Sequence, residues 1–162
     1  MLLKVDLPDG PYLADAGFGA CVLDSPLRLA TDVEQRTAMG TYRLDESDGL
    51  FWLSTRQPAG WRTMFAFSPE PQLQSDYELA NWFTSTSPLA PFTRMLIMER
   101  VSNDRRYKLV DRRLTIEARD GQLAVERLID SADELGRVIH ETFDVRPPVS
   151  ADEIFKRLEA GS

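Results

Sequence analysis

Tyr12-Leu13-Ala14-Asp15-Ala16-Gly17-Phe18-Gly19 is the stretch from which the rest of the chain is read. It is an apolar strand that ends in an acid and then in a glycine-framed turn. A carboxylate at the end of a buried strand needs a partner to offset its desolvation, and a histidine is the partner that would make it chemical. The one histidine, His140, is remote in sequence. On the residues alone, Asp15 is an aspartate that caps its own turn through an Asx hydrogen bond. Gly17, Phe18 and Gly19 are then a tight turn carrying a core phenylalanine.

Working outward, Met1 to Val5 and Pro11 to Ala14 flank Pro8-Asp9-Gly10, a turn whose glycine supplies a positive φ. This hairpin delivers Asp15. Val22 to Leu29 contains Pro26, which cannot donate to a ladder, so it reads as an edge or irregular segment. Thr37 to Leu44 and Leu50 to Thr55 flank Asp45-Glu46-Ser47-Asp48-Gly49, a second hairpin. Trp61 to Phe67 sets Trp61, Thr63, Phe65 and Phe67 against Arg62, Met64 and Ala66, which predicts one strongly aromatic face.

Ser75-x-x-Glu78 predicts a capping box, and Leu79, Trp82 and Phe83 follow at helical spacing until Pro88 and Pro91 stop the helix. Strands are predicted at Arg94 to Ser102, Arg105 to Val110, Leu114 to Ala118 and Leu123 to Leu128, with Asp120-Gly121 as the sharpest hairpin turn. Ser131-x-x-Glu134 and Ser150-x-x-Glu153 then cap two helices. The first bears Leu135, Val138, Ile139 and Phe143; the second bears Ile154, Phe155 and Leu158. These patterns add up to an α+β fold: an antiparallel, β-barrel-like region over residues 1–71, then a strand-rich region with C-terminal helices over residues 72–162.

The chain has 162 residues, 43% hydrophobic and 28% charged, which suits a soluble globular protein. No apolar run approaches the roughly 20 residues of a membrane span. The start runs directly into Lys4 and Asp6, unlike a signal peptide, so the expected location is cytoplasmic. A net charge of −7 argues against nucleic acid and acidic membranes as partners. Arg100, Arg105, Arg106, Lys108, Arg112 and Arg113 form the one basic concentration and read as a solvated face. With Cys21 as its single cysteine, the chain is expected to hold no disulfide and no metal. His140 is expected at an exposed helix position.

Asp15-Ala16-Gly17-Phe18-Gly19 resembles the Asp-Val-Gly-Phe-Gly signature of the arylamine N-acetyltransferases. Asn81-Trp82-Phe83-Thr84-Ser85-Thr86-Ser87-Pro88 resembles that family's Asn-x-x-x-Ser-Thr-x-Pro segment. The resemblance implies that Asp15 is the aspartate of a Cys-His-Asp triad, which carries acetyl from acetyl-CoA to an arylamine or hydrazine. It implies that Phe18, between Gly17 and Gly19, lines the acyl and amine pocket. Phe83 would contact coenzyme A, and Thr86 and Ser87 would offer hydroxyls to it. The two regions would be the family's middle barrel domain and its C-terminal lid.

The family's Arg-Gly-Gly-x-Cys segment is absent from these residues, and its histidine would fall just before Met1. Cys21 is not at the family's nucleophile position. The expectation is therefore a truncated chain with Asp15 alone of the triad, inactive by itself, with an apolar face left for a homo-oligomer or for the missing N-terminal domain. The alternative is a non-catalytic module that binds coenzyme A, an aromatic ligand or a protein. A third possibility is a start assigned at an internal methionine of an ordinary enzyme.

Overall fold

Strands β1 (Leu2–Leu7) and β2 (Gly10–Asp15) form the expected hairpin in the computed structural model, which describes residues 2–15, 23–102 and 104–160. The two-residue turn Pro8-Asp9 works because Gly10 takes φ +126, a conformation that side chains resist. The turn is further tied by Asp9, whose carboxylate accepts from the Tyr12 hydroxyl at 2.8 Å and from the Arg28 guanidinium at 2.5 Å. The Tyr12 hydrogen bond, and then Arg28, hold the Asp9 carboxyl below its usual range. Strand β3 (Leu27–Arg28), immediately after Pro26, extends the sheet in the order β1-β2-β3.

A second antiparallel sheet follows, β4 (Gln35–Arg36), β5 (Thr41–Ser47), β6 (Leu50–Gln57) and β7 (Gly60–Phe67), in sequence order. The strand expected from Thr37 begins only at Thr41. Thr37 to Gly40 close a turn instead, with the Thr37 amide on the Gly40 carbonyl at 2.8 Å and the threonine hydroxyl bonding the same residue.

The single aromatic face expected of β7 is also corrected. A register shift lets Leu53 pair with Phe65 while Ser54 pairs with Thr63, so Met64 is the extra residue of a bulge, its side chain still packed on the core. One extra residue reverses the alternation. Phe65 and Phe67 therefore pack against the core of Leu13, Leu23, Leu27, Tyr42, Leu44 and Leu53. Trp61 lies on the opposite face, with the guanidinium carbons of Arg43 and Arg56 at 4.9 and 5.5 Å from its ring centroid.

Farther along, α1 (Gln74–Thr86) precedes a four-stranded sheet of β8 (Ile97–Ser102), β9 (Arg105–Val110), β10 (Arg113–Glu117) and β11 (Leu123–Leu128), ordered β11-β10-β9-β8. The capping box expected at Ser75 is displaced. Helix α1 starts two residues earlier, with Leu73 as N-cap and its amide donating to the Asp76 carboxylate at 2.9 Å. A branched apolar side chain cannot cap an amide, so the acid three residues on supplies the local bond. Asp120 and Gly121, at φ +55 and +72, make the expected hairpin turn.

Helix α2 (Ala132–Arg137) is capped by Ser131, whose hydroxyl accepts from the Glu134 amide at 3.3 Å, and it continues as a π-turn over Val138–Thr142. Helix α3 (Ala151–Ala160) is capped in the same way by Ser150. Leu135, Val138, Ile139, Phe143 and Phe155 meet Leu109, Leu114 and Ile129 in one core. The chain divides into two compact units: residues 1–70 with 101–106 and 117–124, and residues 71–100 with 107–116 and 125–162. Each contains one of the two cores. Among the described residues, no helix is long and apolar enough to cross a membrane.

Candidate active-site aspartate and the helix of the second motif

Asp15 is the last residue of β2 and is 9% exposed. Its ladder partner is Leu2, and the period of two places it on the same side of the sheet as Leu13, which is 2% exposed and belongs to the core. The hairpin thus sets a carboxylate at the margin of an apolar core. That is the environment an imidazole-orienting aspartate requires.

Gly17, Phe18, Gly19 and Cys21 lie outside the described residues. Leu23 is buried in the core, and the Asp24 carboxylate accepts from the amides of Ala38 and Met39 at 3.0 and 3.2 Å. Asp24 was not singled out from the sequence. An acid beside Ser25-Pro26 carries only a generic turn signal, and its amide partners lie 14 and 15 positions away.

Phe83, Thr86 and Ser87 share the C-terminal end of α1, in the second unit, whereas Asp15 belongs to the first. Phe83 is 45% exposed and Trp82, before it, 61%. The Thr86 hydroxyl donates to the Trp82 carbonyl at 2.6 Å, so toward a ligand it can only accept. The Ser87 oxygen accepts from the Leu89 amide at 3.2 Å, which leaves its proton available to donate. This helix end presents two aromatic faces and a hydroxyl donor to solvent.

The basic concentration is only partly the solvated face that its sequence suggests: Arg100, Arg105 and Arg113 are exposed, whereas Arg106 is buried and Lys108 and Arg112 are half-buried. Arg106 is 5% exposed and its guanidinium donates to the Tyr42 hydroxyl at 3.2 Å. Arg112 donates to the Ile129 carbonyl at 2.9 Å and stacks over Phe155 at 4.9 Å. Arg100 closes the π-turn by donating to the Thr142 carbonyl, and Arg113 pairs with Glu126. Of these cations, Arg106 and Arg112 are the ones drawn into the packing. His140 is exposed, and among the described residues no group of three or more His, Cys, Asp or Glu side chains could hold a metal.

A family profile described as N-acetyltransferase matches residues 1–151. The arylamine N-acetyltransferase of Mycolicibacterium smegmatis is 33% identical over 141 residues, covering 86% of this chain and 51% of that protein. The solved arylamine N-acetyltransferase of M. tuberculosis superposes with a TM-score of 0.87 at 30% identity, covering 99% of this chain and 60% of that one. The Mycobacterium marinum enzyme, solved in complex with CoA, superposes at 0.83 with 31% identity, covering 99% and 58%. The chain therefore spans about half the length of the curated relatives it matches. A profile match over nearly the whole chain, with a shared α+β fold, means that this chain belongs to the arylamine N-acetyltransferase family.

Proposed function

We propose that this chain supplies Asp15 to a Cys-His-Asp triad that moves acetyl from acetyl-CoA to an arylamine or hydrazine, acting in the cytoplasm. The observation that carries the proposal is the burial of a carboxylate at 9% exposure on the core side of β2, just before the glycine motif. In this mechanism a cysteine thiolate attacks the thioester carbonyl and coenzyme A leaves as the thiolate. The amine then attacks the acyl-cysteine, and the imidazole moves the protons. Asp15 orients that imidazole and stabilises its charged form. Gly17, Phe18 and Gly19 would shape the acyl pocket, and Phe83, Thr86 and Ser87 would meet coenzyme A.

The 162 residues contain Cys21 and His140 but no Arg-Gly-Gly-x-Cys segment, so on their own they are proposed to be inactive. The test is acetyl transfer to a simple arylamine by this chain alone, and by this chain mixed with the separately folded cysteine-bearing part of a relative. Activity only in the mixture, reduced on the order of 10⁴-fold by Asp15→Asn, is expected. Turnover by the chain alone would overturn the proposal and turn attention to Cys21. A second reading is favoured by the exposed Trp82, Phe83 and Ser87: a non-catalytic module that binds coenzyme A or an aromatic ligand. Calorimetric binding of coenzyme A by a chain that shows no turnover in either assay would select it.

A further inference from the structure

Strand β1 is the open edge of its sheet among the described residues. Its backbone parity is fixed by the hairpin. The two-residue turn makes Leu7 and Gly10 the closing hydrogen-bonded pair, so Leu3, Val5 and Leu7 bond to β2. Pro11 confirms the phase: it sits opposite Asp6, has no N–H, and its carbonyl accepts from the Leu29 amide on the other side at 2.9 Å. The N–H and C=O groups of Lys4 and Asp6 therefore point away from β2, toward the open edge.

The side chains along this edge are self-complementary. We infer that β1 pairs antiparallel with β1 of a second copy of this chain, about a two-fold axis through Val5. Only even residues can form ladder bonds across this edge, so the register can change only in steps of two. With the axis at Val5, Lys4 faces Asp6 of the copy twice, Leu3 faces Leu7 twice, and Val5 faces Val5. A shift of two residues in either direction sets Lys4 opposite Lys4 or Asp6 opposite Asp6. Charge thus selects the register.

The apolar row is available for this. Leu3, Val5 and Leu7 are 44%, 40% and 48% exposed on one face, an alternation normally reserved for a covered strand. Lys4 and Asp6 now share an exposed contact of 3.5 Å within one strand, which pairing would replace with two contacts between strands. Pairing joins six apolar side chains into one stripe and completes four backbone hydrogen bonds.

The test is sedimentation velocity across a concentration series, with hydrogen exchange at low and high concentration. A weak dimer is expected, with the amides of Lys4 and Asp6 gaining protection on association while that of Val5, already bonded to β2, does not. Lys4→Asp alone and Asp6→Lys alone each set like charges opposite one another and should weaken the dimer at least about tenfold. Mixed together, the two variants set opposite charges at both contacts and should dimerise again, which a folding defect could not produce.

Asp6→Lys also discriminates because it reduces the net negative charge of −7, so association limited only by overall repulsion would strengthen where β1 pairing weakens. A chain that stays monomeric, or a dimer untouched by both reversals, would overturn the inference. So would an edge that captures only the cysteine-bearing part of a relative.

Discussion

Helices α1 and α3 carry the same kind of message in sequence and meet opposite fates. Both are amphipathic, and both have acids in the first turn. Yet α3 sinks Phe155 into the second core with Ile154 and Leu158 beside it, whereas α1 buries no residue and leaves Leu79, Trp82 and Phe83 at 66%, 61% and 45% exposure. The difference teaches that an apolar stripe specifies a surface seeking cover without specifying what covers it. For a helix of 13 residues, local bonds alone are marginal, so α1 depends on its caps and α3 on its core.

The largest effect should come from setting Phe155→Ala beside Trp82→Ala. The first removes a ring from a packed core and should cost about 3–5 kcal/mol in urea unfolding. The second removes an exposed ring and should change stability by no more than about 0.5 kcal/mol. Equal costs would break the comparison, because they would mean that α1 is covered in solution.

Next, Arg112→Met tests whether the cover over α3 is partly cationic. The variant loses the stack on Phe155 and the hydrogen bond to Ile129, and should cost about 1–2 kcal/mol by the same measurement. No change would mean that apolar packing alone holds α3.

A smaller and local effect is expected of Asp76→Ala, which removes the acceptor for the Leu73 amide at the start of α1. It should cost about 0.5–1 kcal/mol of helix stability. Because α1 has no buried residue, this should emerge as faster amide exchange within α1 while global unfolding stays put. A matching drop in global stability would show that α1 is coupled to the core.

The smallest effect concerns pH. The Glu134 carboxyl is held below its usual range, first by the Asp130 amide and then by Arg127. A depressed folded value means that its contribution is complete above the ordinary value of 4.5 and is lost as pH falls through the folded value. The difference in Tm between the native chain and Glu134→Gln should therefore be constant near neutrality and shrink in acid. A difference that grew in acid would reverse the assignment.

Where the sequence was legible, the deciding bonds are short in range. Ser131 and Ser150 cap helices through amides three positions on, Asp120-Gly121 turns through its own dihedrals, and the predicted bounds of β9 and β11 match those observed. Where it misled, the deciding partner is distant. The bulge at Met64 depends on how β6 meets β7, and Arg106 is drawn from the expected solvated face by Tyr42, 64 positions away. Of the candidate site, the burial of Asp15 follows from strand parity, which sequence displays, whereas Asp24 depends on a loop that sequence does not place beside it.

The sequence by itself determined the hairpin that ends in Asp15, the Ser131 and Ser150 caps, the Asp120-Gly121 turn, the α+β class and the family, because these rest on residue chemistry within a few positions or on recognisable motifs. The tertiary structure alone decided which apolar faces are covered, which face of β7 holds the aromatics and which arginine is buried. Those outcomes depend on what comes to lie opposite each side chain, and desolvation is settled by the neighbour across the gap rather than by the residue itself.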